Sequence, residues 1–196
     1  GYEYNYGKST YKGIDTGNGG AVYSEPGVHS NVALLDIASQ HPRSAIVLKY
    51  FGPYAQRFED LVDTRILVKH GDYEAAGKEF NWLLIPVLQD KQSAKDLAYA
   101  LKIIINIVYG MTSASFDNKF RHKDNHDNII AKRGALFMLE LKEQVQSMGF
   151  TVAHIKTDSI KIPDATQEIN DFVFWLGKQY GYTFEHEHTY NRMALV

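Results

Sequence analysis

Two periods of hydrophobic and polar residues divide the chain. Ala21-Val22-Tyr23-Ser24, closed by Glu25-Pro26-Gly27, reads as a short strand ending in a turn. Val32-Ala33-Leu34-Leu35 is an apolar run halted by Asp36, the pattern of a buried strand. From Pro53 the period lengthens: Phe58, Leu61, Val62, Ile66 and Leu67 mark one side of a helix. Gly71 stands where a left-handed C-cap belongs. Residues 73–90 read as a turnaround in which Trp82, Leu83, Leu84 and Ile85 pack and Pro86 breaks any helix. A long helix over about residues 93–109 follows, with Ser93 as N-cap, Asp96 at N3, and Leu101, Ile104, Ile105 and Val108 as its apolar face.

The second half repeats both periods. Residues 129–148 form a strongly amphipathic pattern through Ala135, Leu136, Leu139, Leu141, Val145 and Met148, stopped by Gly149. Residues 150–162 are two β-prone runs pinched at Thr157-Asp158-Ser159, a hairpin with Asp158 at its tip. Pro163-Asp164 is expected to open a helix carried by Ile169, Phe172, Val173, Leu176 and Tyr180. Residues 182–196 alternate as a last strand, His186 and His188 on one face, Glu185 and Glu187 on the other. Residues 1–20, rich in Tyr, Gly, Asn and Ser, show no period and read as loop. The sum is an α+β chain without internal repeat.

Composition narrows the classes. The 196 residues are 44% hydrophobic and 22% charged, an ordinary globular balance. No Cys is present, which excludes a disulfide framework and thiolate metal sites and suits a reducing, cytoplasmic setting. No apolar run approaches the roughly 20 residues that span a bilayer, and the Tyr-rich start has no basic flank like that of a signal peptide. The net charge of −2 means that any nucleic-acid surface must be a local patch. Gly1 has the look of a tag scar and Met193-Ala194-Leu195-Val196 that of a strand cut short, so the chain is expected to be a piece of a larger protein.

Several residues stand out chemically. Lys102, Asn106 and Tyr109 are four and then three apart, so a helix stacks them with neighbours roughly 5–6 Å apart. A cation, an amide and a phenol in one row suit a phosphate- and ring-bearing ligand; they equally suit a core helix whose polar residues reach water. Asp36, closing a buried strand, is either a rigidly held ligand or a turn residue. Arg65 and Lys69 share a helix face, as an anion grip or a solvated edge. His122 and His126 have the i, i+4 spacing of zinc ligands without a third partner, and the His186/His188 pair reads first as an exposed edge. Lys119, Arg121 and Lys123 form a small basic loop.

Three of these stretches together resemble the polymerase motifs of family B DNA polymerases, in order. Asp36-Ile37-Ala38-Ser39-Gln40-His41-Pro42-Arg43 is similar to Asp-x-x-Ser-Leu-Tyr-Pro-Ser. Residues 102–110 are similar to Lys-x-x-x-Asn-Ser-x-Tyr-Gly, with Ile107 for Ser, and Lys156-Thr157-Asp158-Ser159 to Asp-Thr-Asp-Ser. The wording is most similar to polymerases of tailed bacteriophages, and the likeness runs from about Gly19 to the C-terminus.

The resemblance implies an antiparallel palm sheet flanked by helices with a helical-hairpin fingers insertion. The palm would comprise residues 1–46 and 111–196, the fingers 47–110, with thumb and exonuclease absent. It implies template-directed nucleotidyl transfer from a dNTP to a primer 3′-hydroxyl, with primer-template DNA as partner and no membrane. Asp36 and Asp158 would be catalytic, binding two Mg²⁺ ions, replaceable by Mn²⁺, with the Ile37 carbonyl as a further ligand. Ser39, Gln40, His41, Arg65, Lys69, Lys102, Asn106, Tyr109 and Gly110 would bind the nucleotide, and the basic loop would lie near the DNA backbone.

Two departures matter. Lys156 replaces the first Asp of the third motif, putting +1 where −1 is usual and suggesting a phosphate contact instead. His41 replaces the Tyr that blocks a ribose 2′-hydroxyl, leaving ribonucleotide exclusion open. Lys156 favours an alternative, a nucleotide- or DNA-binding module that has lost the chemistry. A reverse-transcriptase palm fits less well, because the Lys-x-x-x-Asn-x-x-Tyr-Gly helix lies between the two aspartate motifs.

Overall fold

The computed structural model describes residues 10–17, 19–125 and 128–196. Strands β1 (Thr10–Tyr11) and β2 (Ile14–Asp15) form a small antiparallel hairpin, so part of the stretch expected as loop is ordered. Buried Tyr11 explains it: its hydroxyl donates to Glu143, giving the hairpin an anchor that no local period announces. Then come β3 (Val22–Ser24), β4 (Gly27–Ile37) and α1 (Gln40–Val47). A short 3-10 turn over Gly52–Tyr54 leads into α2 (Ala55–His70), α3 (Tyr73–Glu79) and α4 (Lys91–Met111). The chain closes with α5 (Ile129–Ser147), β5 (His154–Lys156), β6 (Ser159–Pro163), α6 (Gln167–Gln179) and β7 (Phe184–Leu195).

Two compact units result, residues 1–44 with 124–196, and residues 45–123. The first holds a five-stranded, wholly antiparallel sheet in the order β3-β5-β6-β4-β7. One face presents Leu35, Ile37, Ile155, Ile160 and Ile162 to Ala135, Met138 and Leu141 of α5 and Ile169, Val173 and Leu176 of α6. Phe137 is fully buried, its ring 5.0 Å from that of Tyr182. Burying each such side chain is worth about 1.5–3 kcal/mol. This is the α+β architecture expected, an antiparallel sheet flanked by helices.

Local details differ from the pattern. β6 continues through Pro163, and Asp164 has φ +48°, so the helix expected there begins later, where Thr166 accepts from the Ile169 N–H. In β7 the register slips: Leu34 pairs with His188 but Leu35 with His186, leaving Glu187 as a bulge. His186 and His188 therefore fall on opposite faces. The His186 ring bonds Thr189, while His188 packs edge-on against Tyr190.

The second unit is a helical hairpin in which α2 packs on α4. The end of α2 and the start of α4 line one cavity of about 460 Å³, so the helices run antiparallel. Gly71 caps α2 at φ +81°, as its position predicts. The cap of α4 is Asp90, not Ser93: Asp90 accepts from both the Gln92 and Ser93 N–H groups. Trp82, Leu83 and Ile85 are exposed, the first and last lying over Gly77 of α3, while Leu84 packs against the cluster of Val68, Ala76 and Leu88. On α4 only Leu101 and Ile105 of the expected apolar face are buried, and Ile104 is 45% exposed. Among the described residues no helix is long and apolar enough to cross a membrane.

Candidate active site

Asp36 and Asp158 lie 122 positions apart in the chain and are brought together by the sheet. Asp36 is the penultimate residue of β4, paired with Ser159 on one side and Glu185 on the other. Asp158 sits in the two-residue connection between β5 and β6, and its carbonyl accepts from the Ile37 N–H at 2.9 Å. Alternation along β4 turns Leu35 and Ile37 into the core, so Asp36 points to the opposite face. Ser159, Lys161, Lys156 and Glu185 share that face through register. Lys161 is legible as a strand neighbour of Ser159; nothing in the sequence reveals Glu185 beside Asp36.

Burial shapes the titrations. It pushes the half-buried Asp158 carboxyl up, opposed by a backbone N–H and by the charge of His41. It pushes the His41 imidazole down, against the attraction of Asp158. Lys161 is also pushed down by burial and by Lys156, with Asp36 opposing. Its ammonium donates to His154 Nδ1 at 3.0 Å, consistent with a neutral imidazole, itself pushed down by burial. Asp36 near the end of β4 and Asp158 in the β5–β6 connection each carry carboxylate oxygens, the donor type that a hard divalent cation prefers. Lys156 and Lys161 work against it, each placing positive charge on the same face. Among the described residues no group of three His, Asp or Glu side chains is placed to hold a metal ion.

The motif around Asp36 turns a corner. Ser39 has φ +58°, and its carbonyl accepts from the Arg43 N–H as α1 begins. Gln40 is the first helical residue, 3% exposed, its side chain turned inward to donate to the Thr157 carbonyl at 3.2 Å. Its backbone N–H stays with the first amides of α1, a position able to meet an anion.

The other sequence candidates lie in the helical unit. Arg65 and Lys69 are one turn apart on α2. Lys69 lines the cavity that also takes in His70, Lys91 and Lys95. Lys102, Asn106, Tyr109 and Gly110 lie on α4, Lys102 and Asn106 exposed and Tyr109 half-buried with its phenol pushed up by burial. His122 stacks on Tyr50 at 4.6 Å, and its backbone N–H donates to the Thr112 carbonyl. The zinc pairing with His126 lies outside the described residues. In the basic loop Arg121 is paired with Asp117 at 2.8 Å.

No protein-family model matches the chain. Its sequence is 31% identical over 119 residues, 58% of the chain, to the DNA polymerase zeta catalytic subunit of Schizosaccharomyces pombe. The chain spans only 7% of that protein. Its structure is similar to that of the family B DNA polymerase from the hyperthermophilic archaeon Pyrobaculum calidifontis, with a TM-score of 0.57 and 16% identity over 90% of this chain and 26% of that one. Sequence and fold thus both liken this chain to part of a family B DNA polymerase.

Proposed function

We propose that the chain is the palm and fingers part of a template-directed DNA polymerase, transferring a nucleotidyl group from a dNTP to a primer 3′-hydroxyl. The observation that carries the reading is the adjacency of Asp36 and Asp158, from distant motifs, fixed by the backbone hydrogen bond from the Ile37 N–H to the Asp158 carbonyl. Asp36, Asp158 and the Ile37 carbonyl would hold Mg²⁺ or Mn²⁺. Such ions lower the cost of activating the 3′-oxygen and of releasing pyrophosphate.

The protein's own residues do the positioning. The start of α1, after Ser39, presents the positive end of the helix dipole, which suits a triphosphate. In the helical unit, Arg65, Lys69 and Lys102 would supply charge for phosphate, Arg as a bidentate fork and Lys as point charges. Asn106, Tyr109 and Gly110 would serve the nucleotide, and His41 would meet its sugar. The exposed Lys156, on the Asp36 face, would meet a substrate phosphate. The phage-like wording of the motifs points to a viral polymerase acting in a host cytoplasm.

The test is template-directed incorporation by the protein that carries this chain, with Asp36→Asn and Asp158→Asn. Losing several kcal/mol of transition-state stabilisation lowers incorporation on the order of a thousandfold in each. Full activity in either variant would sink the reading. Lys156 and Lys161 on the Asp36 face favour a second reading, a binding module without chemistry. Nucleotide or DNA binding with no divalent-dependent incorporation by the unaltered protein would select it.

A further inference from the structure

We propose that Gln40 and Gly134 clamp the turn that carries Asp158, making Gln40 a positioning residue for the divalent-ion site. The inference rests on the role given to Asp158 above, though the clamp can be tested separately. Thr157, beside Asp158, has φ +55°, a left-handed conformation that strains a β-branched residue and must be held from outside. It is held at both ends. Its N–H donates to the Ala21 carbonyl at 2.8 Å, and its carbonyl accepts from Gln40 Nε2 at 3.2 Å.

Two glycines make the grip possible. A Cβ on Gly20 would lie 2.8 Å from both branches of the Thr157 side chain. A Cβ on Gly134, in α5, would lie 2.6 Å from Gln40 Cδ and 2.7 Å from its Oε1. The Gln40 amide therefore lies flat on bare α5 backbone, with Thr157 as its acceptor. Gln40 is anchored behind as well: Ser44 Oγ donates to the Gln40 carbonyl at 2.9 Å, leaving Tyr182 to donate to Ser44 at 2.6 Å. Gly134, Gln40, Ser44 and Tyr182 so form one buried relay ending at the turn.

The consequence is geometric. The Thr157–Asp158 peptide plane can rotate about the bonds flanking it, and that rotation swings the Asp158 Cα–Cβ bond. A donor aimed at the Thr157 carbonyl selects one orientation, while the Ile37 N–H fixes the next carbonyl along. The Asp158 carboxylate is then set before any ion arrives, as preorganised sites require.

Gln40→Met keeps the length of the side chain and removes the donor; Gly134→Ala keeps the donor and displaces it. Amide hydrogen exchange on the chain is expected to speed up about tenfold at Thr157, Asp158 and Ile37 in either variant, with α6 amides unchanged. The double variant should add little, since both changes break one contact. Mn²⁺ titration should show a several-fold weaker affinity in each variant. Unchanged exchange at the turn, or additive effects, would overturn the clamp. Loosened exchange with unaltered Mn²⁺ affinity would overturn the positioning role. Should Gln40→Met fail to fold, Gly134→Ala carries the same comparison. If Asp158→Asn leaves Mn²⁺ binding intact, the site reading fails instead, and the exchange data still judge the clamp.

Discussion

Lys156 and Tyr182 show how differently single residues depend on their surroundings. Lys156 follows a motif position and shares a face with Asp36, so its charge acts directly on whatever binds there. Lys156→Asp should lower the divalent-ion concentration needed for half-maximal incorporation by roughly tenfold and weaken nucleotide binding. Unchanged values for both would show that the ammonium turns away. At His41, a ring smaller than Tyr is expected to admit ribonucleotides more readily than His41→Tyr does, measured by competing primer extension.

Tyr182 is fully buried, and burial pushes its phenol up. A native value above the unfolded value of about 10 means that the unfolded chain loses the proton first. Its contribution is whole below about pH 10 and is lost as pH rises through the native value. Tyr182→Phe should cost about 1 kcal/mol at neutral pH and make the alkaline loss of stability shallower, read by denaturant unfolding at pH 8 and pH 11.

Helices and strands fail or survive by the surface they cover. Phe137 sits at the junction of α5 with Tyr180, Tyr182 and Phe184, so Phe137→Ala should cost about 3–5 kcal/mol in denaturant unfolding. Ile104→Ala, on the open side of α4, should change stability by less than about 1 kcal/mol, although the sequence pattern counts it in the apolar face. Gly177→Ala on α6 would drive a Cβ to 2.7 Å from the Phe184 ring and 3.2 Å from the Tyr182 carbonyl, costing about 1–3 kcal/mol. The Asp90 cap carries a pH signature of its own. Hydrogen bonds to Ser93 and Gln92 hold its carboxyl below the usual range. Its support for α4 is present above the unfolded carboxylate value and fades as acid titrates the native one. Ser93 was the legible candidate because it stands nearer the apolar run; Asp90 wins because its extended backbone lets one oxygen reach two N–H groups.

Taken as a molecule, the chain is two units with a net charge of −2, so any DNA bound as proposed would be held by local cationic patches. Its DNA affinity should fall at least about tenfold between 50 and 200 mM salt and vary little with sequence, checked by fluorescence anisotropy. A flat response would remove the phosphate backbone as the partner. The strand into Asp36, the hairpin tip at Asp158, the Gly71 cap and the helical runs were all legible in the residues, because each depends on neighbours within a turn or two. The α+β class follows from their order. The bulge at Glu187, the Tyr11 anchor, the exposure of Ile104 and the turning inward of Gln40 were not, since each depends on a surface folded back from far along the chain. The candidate site divides the same way. Its two carboxylates can be named from motifs, but Glu185 and Lys161 as their neighbours, and Gly134 as the bare backbone that admits Gln40, exist only once the strands have paired and α5 has packed beneath them.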